Sequence, residues 1–176
     1  IYKKHKGYTI FPSTVISSLS YTQKKQIIFP IRSVFYFNRN RSMLISDWRY
    51  LKYPSYTYGL GMHSGPVDEN LLNFQYFKFH ESILFRLVPG LYLGAGYSLD
   101  YFWKLREVYP HVNPVTDFEK YGHRTESVSS GLSFHLLRDT RDNPINAYSG
   151  TYSSIGVNPR FKFLGSNNNW ATMNLE

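Results

Sequence analysis

Between residues 127 and 136 the chain alternates strictly. Val128, Ser130, Leu132, Phe134 and Leu136 share one face, and Ser127, Ser129, Gly131, Ser133 and His135 share the other. A second run repeats the pattern. Ser153, Ile155, Val157, Pro159, Phe161 and Phe163 oppose Tyr152, Ser154, Gly156, Asn158, Arg160 and Lys162. A period of two predicts β-strands. An apolar face set against a small or polar face is what a strand shows between lipid and a watery lumen.

The rest of the chain follows suit, and helical periodicity is hard to find. About eight strands are predicted, separated by turn signals. The first, 14–22, places Val15, Leu19 and Tyr21 together, and Lys24-Lys25 turns it into 26–37. There Ile27, Phe29, Ile31, Phe35 and Phe37 oppose Pro30, Arg32 and Tyr36, and 38–41 reads as a turn. In 42–53, Leu44, Trp48 and Tyr50 stand against Asp47 and Arg49. Pro54, Gly59, Gly61, Gly65 and Pro66 then predict a longer connection. In 71–88 the apolar face contains Glu81 among Phe77, Phe79, Ile83, Phe85 and Leu87, and a bulge is expected. Pro89-Gly90 predicts a tight turn. Residues 91–103 form the cleanest strand, with Leu93, Ala95, Tyr97 and Leu99 facing lipid and Gly94, Gly96 and Ser98 the lumen. A polar loop is predicted over 104–126, which holds Pro110 and Pro114. Residues 165–169 turn into a last strand, 170–175. The domain division is a lead-in, 1–13, and one β segment, 14–176.

Composition sharpens this picture. Aromatic residues make up 18% of the 176, with 16 Tyr and 13 Phe, which suits a barrel with interfacial aromatic girdles. No run approaches the roughly 18 apolar residues of a membrane helix. The absence of cysteine excludes disulfides, Cys-ligated zinc and cysteine nucleophiles. The formal charge of +8 points to anionic partners. Much of it sits in Lys3-Lys4-His5-Lys6, Lys24-Lys25 and Arg39-Asn40-Arg41, between strands. Such clusters read as solvated turns or as contacts to lipid phosphates. Nucleic acid is disfavoured, because the aromatics alternate on strand faces instead of interleaving with basic residues.

The alternating runs 127–136 and 152–163 flank Arg138-Asp139-Thr140-Arg141-Asp142-Asn143-Pro144, with Gly150 six residues later. Its Asx residues favour side-chain-to-backbone hydrogen bonds. Three other pieces precede it in order: Tyr56-Thr57-Tyr58-Gly59-Leu60-Gly61, Pro89-Gly90-Leu91-Tyr92-Leu93-Gly94 and Gly131-Leu132. Together they resemble the bacterial surface-antigen barrels of the BamA/TamA superfamily, particularly the Bacteroidetes-type members, over roughly residues 14–176. The resemblance implies an all-β, antiparallel transmembrane barrel of sixteen strands in the bacterial outer membrane. It implies protein insertion or translocation as the activity. Its expected partners are outer-membrane lipid or lipopolysaccharide, client outer-membrane proteins, and periplasmic or lipoprotein components. No cofactor or metal is implied. The charged turn is implied to be structural and to lie at the periplasmic end. Periplasmic POTRA repeats, a Val-Arg-Gly-Phe motif and a terminal aromatic are absent from these residues. The expectation is therefore the first half of a larger barrel, whose first and last strands do not pair. Alternatives are a barrel that anchors another domain or forms a pore, and an outer-membrane lipid hydrolase.

Enzymatic chemistry has little sequence support, and the chain is expected to be non-enzymatic. The six histidines are His5, His63, His80, His111, His123 and His135. None forms an HExxH pair, and no Gly-x-Ser-x-Gly elbow exists. Ser133 and His135 share a polar face, an arrangement that chance produces in any such strand. A Ser–His pair within hydrogen-bond reach in the lumen would favour the hydrolase. Asp139, Arg141 and Asp142 read as a turn in which mixed charges pair and cap backbone groups.

Overall fold

The computed structural model describes residues 4–5, 8–62, 69–108, 117–122 and 124–176. The fold is all-β, and its main element is one antiparallel sheet of nine strands. A separate two-stranded ladder in the lead-in pairs β1 (Lys4–His5) with β2 (Tyr8–Thr9). The main sheet contains β3 (Thr14–Ser17), β4 (Ser20–Tyr21), β5 (Ile27–Phe37), β6 (Ser42–Thr57), β7 (Asn70–Val88) and β8 (Leu91–Glu107). It continues with β9 (Glu126–Asp139), β10 (Tyr152–Arg160) and β11 (Trp170–Leu175). From β5 onward each strand pairs with the next in sequence, and β3 and β4 both lie along β5. The sheet is open. Among the described residues β11 pairs only with β10, and β3 and β4 pair only with β5, as expected for first and last strands that do not meet.

Several predicted boundaries are corrected. Residues 14–22 form two short pieces, not one strand. β6 continues through Pro54 to Thr57, where a connection was expected. The last β5 partner of β6 is Lys52, so Pro54 sits where the strand has a single neighbour, a place that tolerates a missing N–H. β8 runs past Trp103 to Glu107, into the predicted loop. It does so through a bulge. Gln75 pairs with Trp103 but Asn73 with Arg106, and the extra residue accommodates Lys104 at φ 54°. A second register shift lies between Arg86 and Val88, so the bulge expected in this strand is present. Residues 109–116 of the predicted loop lie outside the described residues, with Pro110 and Pro114 among them.

β10 stops at Arg160, although the alternation carries on to Phe163. Lys162–Leu164 is a 3₁₀ turn, closed by Gly165 at φ 93°. Asparagines explain the break, because their side chains offer the backbone partners other than a ladder. Asn169 Oδ1 accepts from Lys162 N at 2.7 Å, and Asn167 Oδ1 accepts from Val128 N at 2.5 Å. Phe161 and Phe163 stack at 5.0 Å instead of lying on a strand face.

Register lays the alternating residues out as rows. Phe35, Leu44, Ile83, Ala95, Phe134, Val157 and Met173 form one row across the sheet. Phe85, Leu93, Leu136, Ile155 and Leu175 form the next. Most of these side chains remain exposed, with Leu93 at 50%, Phe85 at 55% and Phe134 at 47%, while Phe35 and Leu44 are half-buried. On the opposite face Arg32, Asp47, His80, Ser98, Gly131 and Arg160 share a row. The buried apolar core, Met43, Leu84, Tyr92 and Leu137, lies on this second face near one end. Thr14 and Val34 from one side of the sheet and Tyr152 and Glu176 from the other line a single 460 Å³ cavity beside Met43 and Leu137. Strands so far apart in the order share a cavity only because the sheet curls, with the polar face inside.

Candidate functional site

Two arrangements carry the candidate chemistry: the charged loop at one end of the sheet and the polar concave face.

Arg138 and Asp139 are the last residues of β9, and the loop proper is 140–151. Its side chains are spent on the loop itself. Arg141 grips Asp139 with both arms, Nε to Oδ1 at 2.9 Å and a terminal nitrogen to Oδ2 at 2.8 Å. Its backbone N donates to the same carboxylate, and the other terminal nitrogen reaches Pro144 O at 3.2 Å. The guanidinium lies 4.5 Å over the Tyr152 ring. Asp139 holds the Arg141 guanidinium above its ordinary pKa. Asp142 Oδ1 accepts from Tyr148 N and Ser149 N, which hold that carboxyl below the usual aspartate value. Asn143 Oδ1 accepts from Ile145 N and Asn146 N. Thr140 and Thr151 close the base through backbone and hydroxyl bonds. Gly150 sits at φ 96°, and a Cβ there would meet the Thr140 carbonyl, so the position requires glycine. Asp139 N donates to Gly90 O at 2.8 Å, which puts this loop and the 89–90 turn at the same end. The motif is thus a twelve-residue loop with its own bonding, longer than a tight turn.

The concave face holds an ionic network that sequence reasoning did not assemble. Asp100 accepts from Tyr76 Oη at 2.6 Å, from Arg160 at 2.9 Å and lies 3.0 Å from His80 Nε2. Arg160, only 4% exposed, also donates to the Ser98 carbonyl at 2.7 Å and to the Ser98 hydroxyl. Beside it Asp47 is gripped by Arg49 at 2.9 and 2.8 Å and by Lys78 at 2.7 Å, with Arg32 at 3.5 Å. The partners within each cluster come mostly from different strands. Only register brings them together, and a sequence does not display its own register.

A third cluster concerns the serines and histidines. Ser82 Oγ lies 3.1 Å from Ser133 Oγ and 3.1 Å from His135 Nε2. The partner of His135 on the inner face is thus a serine two strands away in the sheet. Among the described residues no carboxylate bonds to His135, and no group of three or more His, Cys, Asp or Glu converges as a metal ligand set. His63, His111 and His123 lie outside the described residues. On the apolar face, Glu81 is satisfied by Ser46 Oγ at 2.8 Å and Trp48 Nε1 at 3.0 Å.

Comparison with known proteins finds no matching family, no matching curated protein and no matching solved structure. The likeness to the surface-antigen barrels rests on the motifs quoted above.

Proposed function

We propose that this chain is a segment of a bacterial outer-membrane barrel of the BamA/TamA type that takes part in inserting or translocating outer-membrane proteins. The observation that supports it best is the division of one curled sheet into an exposed apolar outer face and an ionic, hydrogen-bonded inner face. Water would penalise those rows of exposed Phe, Leu and Val, whereas lipid would not. β6, β7, β8 and β9 have 16, 19, 17 and 14 residues, beyond the roughly 9–11 that a tilted strand needs to cross the hydrocarbon. The assembly role rests on the motif resemblance. Its physical logic lies in the unpaired N–H and C=O groups of an open sheet edge, which can template an incoming strand. The test is folding of a urea-unfolded client porin into liposomes with and without the reconstituted protein. Faster appearance of protease-resistant porin is expected, and a rate equal to that of empty liposomes would reject the role.

The Ser82–His135 contact favours a second reading, an outer-membrane lipid hydrolase. Against it, His135 has no carboxylate among the described residues to orient it as a base, and Ser82 is buried. Phospholipid hydrolysis that disappears in Ser82→Ala would move the assignment to this reading.

A further inference from the structure

At the end opposite loop 140–151, a cleft of 880 Å³ opens where β6, β7, β8 and β9 meet the 22–26 turn. Lys24, Lys25, Lys52, Lys104 and Arg106 line it, against one carboxylate, Glu126. None of the five cations forms an ion pair among the described residues. Two of them sit in left-handed backbone, Lys25 at φ 57° in the turn and Lys104 at φ 54° in the β8 bulge. Lysine has no steric reason to adopt that region. Backbone strain of this kind gathers where it aims a functional side chain. Trp103 and Pro54 form the apolar part of its wall. Trp103 stacks on Tyr101 at 5.0 Å and lies 6.2 Å from Tyr50. These rings continue onto the apolar outer face, in the place of an aromatic girdle at a membrane interface.

We propose that this cleft binds the phosphorylated glycolipid headgroup of the outer leaflet, a lipid A-class molecule, with its phosphates on the lysines and Arg106. The inference rests on the membrane reading above and on the orientation that puts loop 140–151 at the periplasmic end. The charge complements two phosphates. The aromatic wall complements a sugar, and the apolar face beneath it complements acyl chains. A soluble anion would use the cations but not the apolar face.

The experiment uses the purified full chain in detergent and in nanodiscs. It measures binding of bis-phosphorylated lipid A, of the same glycolipid without phosphates, and of inorganic phosphate. The protein is expected to bind only the first tightly. Lys24→Gln, Lys25→Gln and Arg106→Gln, all at exposed positions, are expected to weaken it by roughly fivefold for each charge removed. Equal affinity for the phosphate-free glycolipid, or inorganic phosphate displacing lipid A stoichiometrically, would overturn the proposal. So would unchanged affinity in the triple variant. Protection of the strands from protease in the nanodisc is read on the same sample. A protein that does not insert would overturn the membrane reading and this inference together. A protein that inserts but ignores lipid A phosphates would overturn this inference alone.

Discussion

At the scale of single residues, the concave face depends on a few carboxylates that several cations share. Arg160 is almost fully enclosed, and Asp100 is its carboxylate. Removing one member of a buried pair leaves the other charged and dry, at a cost of about 3–5 kcal/mol. Asp100→Ala is therefore expected to lower unfolding stability in detergent by about that amount, read from urea titration. A loss under about 1 kcal/mol would mean that water reaches Arg160 freely. Ser98 was expected to face the lumen. Ser98 does sit on the inner face, but it is 1% exposed and held by Arg160. The sequence showed a small polar residue, and the arginine that covers it comes from sixty-two positions away. Glu81 is the reverse case. Its place on the apolar face was legible from parity, while Ser46 and Trp48, which satisfy it, were visible only in register.

At the scale of elements, strand existence was legible because alternation is a local signal. Strand ends were less so, because they depend on neighbours. Pro54 looked like a terminator, yet β6 continues because its β5 partner has already ended. Phe161 and Phe163 looked like strand residues, yet Asn167 and Asn169 draw the backbone into a turn. The motif loop was legible as a self-bonded turn, because Asx residues act within a few positions of themselves. The faces of β8 provide the test of sidedness. An arginine at a lipid-facing, mid-membrane position costs roughly 2–4 kcal/mol. Leu99→Arg, at the middle of β8, is expected to cost that much in refolding into liposomes. Ser129→Arg, placed opposite Asp100 in the sheet register, is expected to cost much less. Equal losses, or a larger loss at Ser129, would show that the faces have been assigned inside out.

At the scale of the whole molecule, the proposed reading is that lipid covers the apolar outer face of an open, curled sheet whose polar face turns away from it. The sequence carries no cysteine, so single spin labels can be introduced without background. Labels at positions 132–136 of β9, in the reconstituted protein, report oxygen and water-soluble nickel accessibility residue by residue. The expected result is a period of two, with oxygen contact strong at Leu132, Phe134 and Leu136 and lost at Ser133 and His135, which face the other way. Accessibility to nickel at every position, or no alternation at all, would contradict it.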